Sequence, residues 1–197
     1  MEAPSPGASR RLSAEEWAAL DEDEEGELVD GVLEPEEMPD PVHELTVSFL
    51  IRILGPWLAR DGFVLGSEIK LLLAPRTGRK PDLSVFLPGN RPPPRRGVIR
   101  HPPSIVVEVI SPSPRDERRD RVEKMADYAV FGVAYYWLID PALGTVEIFE
   151  RNAAGQYVKV VGATAGLIDP VPGCPGLKLD VSALWAELER LGPEADA

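Results

Sequence analysis

The chain has 197 residues, with 21 Lys+Arg against 33 Asp+Glu, 44% apolar residues and a single Cys, which fits one globular domain with a full-sized core. No apolar run approaches the roughly 20 residues that span a bilayer, the N-terminal MEAPSPGASRRLSAEEW has no apolar stretch of the secretory kind, and lone Cys174 excludes an internal disulfide or a thiolate metal cluster. A cytoplasmic protein without a membrane partner is expected. The net charge of −12 argues against general nucleic-acid binding, because phosphate contacts need Lys and Arg. That acidity is local, however: residues 1–44 hold 15 acidic and 2 basic residues, leaving 18 acidic and 19 basic over 45–197.

Residues 1–12 and 193–197 read as loose ends around one domain over 13–192, in which 13–40 is an acidic appendage and 42–161 the core. Ser13-Ala14-Glu15-Glu16 is a capping box that opens a short helix. Asp30-Gly31, at the centre of Glu27 to Glu34, predicts a tight hairpin. Val47, Leu50, Ile51, Leu54, Trp57 and Leu58 recur at helical spacing and predict a helix over 42–60, stopped by Asp61-Gly62. Three strands are expected next, over 63–73, 82–87 and 105–110. Between the last two lies an exposed loop with six prolines and four arginines, Arg91, Arg95, Arg96 and Arg100. After Ser111-Pro112-Ser113-Pro114 a charged helix runs to about Val130, a buried strand covers 135–139, a hairpin joins 145–151 to 156–161, and a helix closes the chain over 181–191. This order suits an α/β (α+β) domain around a mixed sheet, with an N-terminal helix and hairpin appended and a β-hairpin and helix at the C-terminal end.

Glu108 stands out as the ionisable residue within Ile105-Val-Val-Glu-Val-Ile110. So apolar a run is a central strand covered on both faces, where an unpaired carboxylate costs several kcal/mol. Strand alternation sets Val106, Glu108 and Ile110 on one face. Asp82 opens the preceding strand, and two carboxylates on adjacent strands converge on one point of the kind that hard divalent cations occupy with several waters. With only His43 and His101 present and no Gly-x-Ser-x-Gly elbow, the sequence argues against serine hydrolysis. There is no Walker A pattern, Gly-x-Gly-x-x-Gly or zinc-ligand spacing.

The ordered set Pro81-Asp82, Glu108-Val109-Ile110, Ser111-Pro112-Ser113, a charged helix with Glu123-Lys124 and Tyr128, and Gly132-Val133 leading to Tyr136-Trp137-Leu138-Ile139-Asp140-Pro141 resembles the Uma-two family of the restriction-endonuclease-like PD-(D/E)XK superfamily. The resemblance implies an αβββαβ core and a Mg²⁺-dependent phosphodiesterase site, with Mn²⁺ as a substitute ion. It makes Asp82 and Glu108 the metal-binding carboxylates. The chain departs from the pattern at Ile110, where the superfamily carries its lysine, and Lys124 on the following helix is the candidate replacement, its alternative role being an i,i+4 salt bridge with Asp120 on a solvated helix face. Lys80 and Lys70 are weaker ones. His43 matches a family histidine at the start of the first long helix, and Glu44 beside it offers a further carboxylate. Glu27 and Asp30 reach the site if the appendage folds over it, but an acidic solvated flap is the expected state.

The resulting expectation is an endonuclease that hydrolyses DNA phosphodiester bonds. Asp82 and Glu108 hold the cation, Lys124 positions water or screens charge, His43 supports the site and the loop from Arg91 to Arg100 contacts the DNA backbone. Nucleases of this fold often act in pairs, so the resemblance also allows a homodimer. The alternative is a catalytically inactive nuclease-like fold that serves as a binding or assembly module, in keeping with Ile110 and with the overall negative charge.

Overall fold

The computed structural model describes residues 10–20, 26–35, 38–111, 113 and 117–193. The acidic run 21–25, most of the expected N-terminal loose end, and 194–197 of the C-terminal one lie outside them. Arg10 to Leu12, expected to be loose, are tied down. Leu12 N–H donates to the Gly31 carbonyl at 2.9 Å and Leu33 N–H donates to the Arg10 carbonyl at 2.9 Å, because Leu12 has an apolar cluster to join, made with Ala14, Trp17, Leu28 and Leu72.

The short helix α1 (Ala14–Ala18) begins at the expected capping box, with Ser13 and Glu16 bonded in both directions. The hairpin β1 (Glu27–Val29) and β2 (Val32–Glu34) turns through Asp30 at φ 51° and Gly31 at φ 78°, the positive pair that a two-residue primed turn requires. Next comes α2 (Pro41–Leu58), whose N-cap Asp40 accepts from the His43 N–H at 2.7 Å with Pro41 in the first turn. Its buried residues Val47, Leu50, Leu54 and Leu58 belong to the stripe that the spacing predicted, whereas Ile51, counted in that stripe, is 40% exposed and Trp57 is only half-buried.

The single strand expected over 63–73 is two. β3 (Phe63–Leu65) pairs with β6 (Leu83–Phe86), whereas β4 (Leu71–Ala74) pairs with β5 (Thr77–Arg79) in a different sheet. The break lies over Gly66 to Lys70, beyond which Ile99 captures the chain: Leu72 N–H donates to its carbonyl at 2.8 Å. β7 (Ile105–Val109) follows the Arg-rich loop and is buried throughout. The helix α3 starts as a π-helix over Arg119–Lys124, continues as an α-helix over Met125–Phe131, and ends at Gly132 with φ 99°. β8 (Tyr135–Asp140), β9 (Thr145–Arg151) and β10 (Tyr157–Ala163) complete the large sheet, and the small pair β11 (Leu167–Ile168) and β12 (Leu179–Asp180) leads into α4 (Val181–Leu188).

The large sheet runs β10-β9-β8-β7-β6-β3. β7 and β8 are parallel and every other neighbouring pair is antiparallel, so the sheet is mixed and α2, β3, β6, β7, α3, β8 form the expected αβββαβ core. On one face Ile105, Val107 and Val109 pack with the α2 stripe and with Val181 and Leu184 of α4. On the other, Val106 and Ile110 pack with Tyr128, Val133, Tyr136 and Leu138. Tyr136 and Trp137 are therefore core residues, as their apolar strand implied. A second sheet, β2-β1-β5-β4, carries the N-terminal hairpin. No helix among the described residues is long and apolar enough to cross a membrane.

Candidate active site

Antiparallel pairing of β6 with β7 sets Leu83 against Val107. The same register carried one residue further brings Asp82 opposite Glu108, at the end of the sheet where the N-terminus of α2 also lies. Asp82 Oδ2 accepts from the Val109 N–H at 2.6 Å and Oδ1 lies 3.1 Å from His43 Nε2. Both acids line one cavity of about 90 Å³ together with Glu27, His43, Glu44, Lys80, Asp120 and Lys124. The structure thus brings together the four residues given roles in the expected site, His43, Asp82, Glu108 and Lys124.

Glu108 is 1% exposed, and both of its oxygens have partners. Lys124 Nζ donates to Oε2 at 2.9 Å and the Tyr128 hydroxyl donates to Oε1 at 2.7 Å. These donors come from the same face of α3, which lies over the Glu108 face of β7. The π-helical turn that carries Asp120 and Lys124 turns both side chains inward, a feature that recurs where helices serve functional sites. Lys124 Nζ lies 3.2 Å from Asp120 Oδ1 and 3.7 Å from Glu27 Oε1. The i,i+4 pair with Asp120 does form, but it is buried rather than on a solvated helix face.

Glu27 corrects the expectation of a solvated flap. It is 3% exposed, because its carboxylate accepts from Arg79 Nη1 at 2.8 Å and from the Lys80 N–H at 2.9 Å. Arg79 in turn donates to Asp127 Oδ2 from Nε at 2.9 Å and from Nη2 at 2.7 Å. The hairpin is thereby bonded to α3 through one guanidinium. Asp30, by contrast, is not part of the cavity lining.

Four carboxylates, Glu27, Asp82, Glu108 and Asp120, gather around Lys124, and Lys80 and Arg119 add two further cations to the cavity wall. Burial pushes the Glu108 carboxyl up, Lys124 opposes it, and repulsion from Asp82, Asp120 and Glu27 leaves it at about 8. Burial works against the Lys124 charge, but Glu108, Glu27, Asp120 and Asp82 hold its pKa well above the ordinary value, so it is an ammonium. Burial likewise opposes protonation of His43, and its hydrogen bond and charge contact with Asp82 reverse that effect and raise its pKa. Burial raises the Glu27 carboxyl, but Lys124 and Arg79 outweigh it and hold the group below its ordinary value.

Lys80 ion-pairs with Glu68 at 3.1 Å on the cavity wall. Lys70 points elsewhere, donating to the Trp17 carbonyl at 3.1 Å and the Leu20 carbonyl at 3.2 Å. Glu44 is mostly exposed and its carboxylate lies 3.6 Å from His43 Nδ1. Pro93 to Ile99 of the Arg-rich loop line a neighbouring cavity, and Glu68 belongs to both.

Among the described residues no three His, Cys, Asp or Glu side chains are grouped to hold a metal ion. The donor set is a carboxylate pair in a cavity with room for several waters and with surplus negative charge. Such a set fits Mg²⁺ or Mn²⁺, which bind through one or two carboxylates and keep several waters, and it does not fit a metal that needs soft or all-protein ligation.

No curated protein matches the chain. A solved structure does: the crystal structure of "a putative nuclease belonging to DUF820" from Anabaena variabilis has a TM-score of 0.71 and 20% sequence identity, covering 90% of this chain and 99% of that one. A family model described as "Uma2: Putative restriction endonuclease" matches residues 14–182. That match takes in both sheets, the cavity and every residue named in it, and the chain belongs to the Uma2 family of restriction-endonuclease-like proteins.

Proposed function

We propose that the chain is a divalent-cation-dependent endonuclease that hydrolyses DNA phosphodiester bonds. The observation that supports this most is the convergence of Asp82 and Glu108 from adjacent strands into one cavity, with the Lys124 ammonium 2.9 Å from Glu108. In this reading the two carboxylates hold Mg²⁺, or Mn²⁺ in its place. The ion, when bound, lowers the pKa of a water and polarises a phosphoryl oxygen. His43 orients Asp82 through the 3.1 Å contact. Lys124, being charged, donates to the attacking water or screens the negative charge that develops on the phosphate, and does not accept a proton. The loop from Arg91 to Arg100 contacts the DNA backbone beside the cavity, with the cavities joined at Glu68. Such an enzyme works as a pair of copies where both strands are cut, and in the cytoplasm.

A second reading has a specific observation in its favour. Glu108 is already satisfied by Lys124 and Tyr128, as a structural carboxylate in a non-catalytic binding module would be. The two readings separate in one experiment: Mg²⁺-dependent nicking of supercoiled DNA by the wild type and by Asp82→Ala and Glu108→Gln, with Mn²⁺ calorimetry on all three. The nuclease reading expects cleavage and a cation site in the wild type, and neither in the variants. Equal behaviour of the three proteins would assign the carboxylates to structure.

A further inference from the structure

Glu27 has no part in the carboxylate pair, yet it is buried against the lysine that faces that pair. Its position is fixed before Lys124 is considered, since Arg79 holds one oxygen at 2.8 Å and the Lys80 N–H holds the other at 2.9 Å. The oxygen held by Lys80 is the one 3.7 Å from Lys124 Nζ. The ammonium therefore stands among three carboxylates supplied by three elements: Glu108 of β7 at 2.9 Å, Asp120 of its own helix at 3.2 Å and Glu27 of the N-terminal hairpin at 3.7 Å.

Lys124 is fully closed on Glu108 at 2.9 Å, and with Glu108 as its sole counter-charge a divalent cation would have to displace it without compensation. Asp120 travels with the helix that carries Lys124. Glu27 does not, because it is pinned on the opposite sheet. A fixed anion outside the pair gives the ammonium somewhere to remain charged when Glu108 turns to another cation.

We propose that Glu27 is a positioning residue, which gives the Lys124 ammonium a second, fixed counter-charge and so lets Glu108 release it and share a divalent cation with Asp82. The N-terminal hairpin is then a working part of the site and not a decoration. This rests on the reading of Asp82 and Glu108 as cation ligands. A purely structural Glu27 would clamp the hairpin through Arg79 and nothing more, and the two roles differ in one respect: whether the effect of Glu27 on the cation depends on Lys124.

The test is a double-mutant cycle of Glu27→Gln and Lys124→Met in the full chain. Mn²⁺ affinity is read by calorimetry, Asp82→Ala serves as the baseline for cation binding elsewhere, and thermal melting is followed in parallel. Lys124→Met should tighten Mn²⁺ binding, since a competing charge is gone. Glu27→Gln should weaken it in the wild-type background by a factor about fivefold larger than in the Lys124→Met background, the scale of coupling between residues in one charge network. Equal fold-losses in both backgrounds, or no loss in the wild type, would overturn the positioning role while leaving the cation site standing. A wild type with no Mn²⁺ site above the baseline would remove the underlying reading and this one with it. If Glu27→Gln fails to melt cooperatively, the same cycle is run with Glu27→Asp, which keeps the charge but withdraws it by one methylene, and the same inequality decides.

Discussion

Replacing Arg79 with Met removes the guanidinium that joins Glu27 to Asp127 while keeping an unbranched apolar side chain of similar reach. Arg79 and Glu27 are 1% and 3% exposed, so the change strands a buried carboxylate. Breaking a buried ion pair from one side costs about 3–5 kcal/mol. Asp127 is partly exposed and recovers water, so most of the loss falls on Glu27, which retains the Lys80 N–H at 2.9 Å and Lys124 at 3.7 Å. The low end, about 3 kcal/mol, follows. For a domain of this size that is a fall in Tm of about 6–12 °C, read by circular dichroism with urea titration at pH 7 alongside. The sign of the pH dependence is fixed too. Glu27 is depressed in the folded protein from an ordinary 4.5, so its stabilisation is present above that value and lost as pH falls through the folded pKa. The gap between wild type and Arg79→Met should be widest near neutrality and shrink in acid. A loss under about 1 kcal/mol at pH 7, the range of exposed pairs, would refute the account of the guanidinium as a buried clamp.

Gly78 lies against the fully buried Trp17, and a Cβ there would fall 2.3 Å from Trp17 Cζ3. Gly78→Ala should therefore displace the indole and cost about 1–3 kcal/mol or more, seen as a lower Tm with a red-shifted tryptophan emission; an unchanged spectrum would contradict the packing. Because the Glu108 carboxyl is held at about 8, Mn²⁺ binding should strengthen with pH up to that value and level off above it, by about tenfold per unit where one proton is displaced. Calorimetry in two buffers of different ionisation enthalpy would report that proton, and an affinity flat between pH 6 and 9 would count against it.

Much of the core was legible because its signals are local. The α2 stripe, the capping box at Ser13, the Asp30-Gly31 turn and the apolar run around Glu108 each depend on a few consecutive residues. The split of 63–73 into β3 and β4 was not. Gly66 is the only breaker in Gly66 to Lys70, and the switch of sheets is decided by Ile99, almost thirty residues away. Strand β5 is a Thr-Gly-Arg triplet with little intrinsic preference for extended structure, made a strand by its neighbours β1 and β4. The site divides in the same way. Asp82 and Glu108 could be paired from sequence, since two adjacent strands in the right order bring their ends together. Asp120 read as the partner in a surface pair, and Glu27 as part of a solvated flap unless the hairpin folded over the site. What buries Glu27 is Arg79, and the signal available in sequence was the basic Arg79-Lys80 directly before Pro81-Asp82, which demanded an anion near the site.

The passage from β7 through α3 to the parallel strand β8 has a consequence for how such chains conserve chemistry. Because the connection packs its helix on the face of β7 that carries Val106, Glu108 and Ile110, a cation placed at strand position 110 or at helix position 124 addresses the same carboxylate. The strand position here is given to the apolar core, where Ile110 packs with Tyr128 and Tyr136, and the charge is delivered from above. Topology, not the local motif, makes the two addresses equivalent. A pattern of Glu-x-Lys along the strand would pass over a chain built this way, whereas a search for an inward-facing lysine on the crossover helix, about sixteen residues after the acid as in Lys124 and Glu108, would find it.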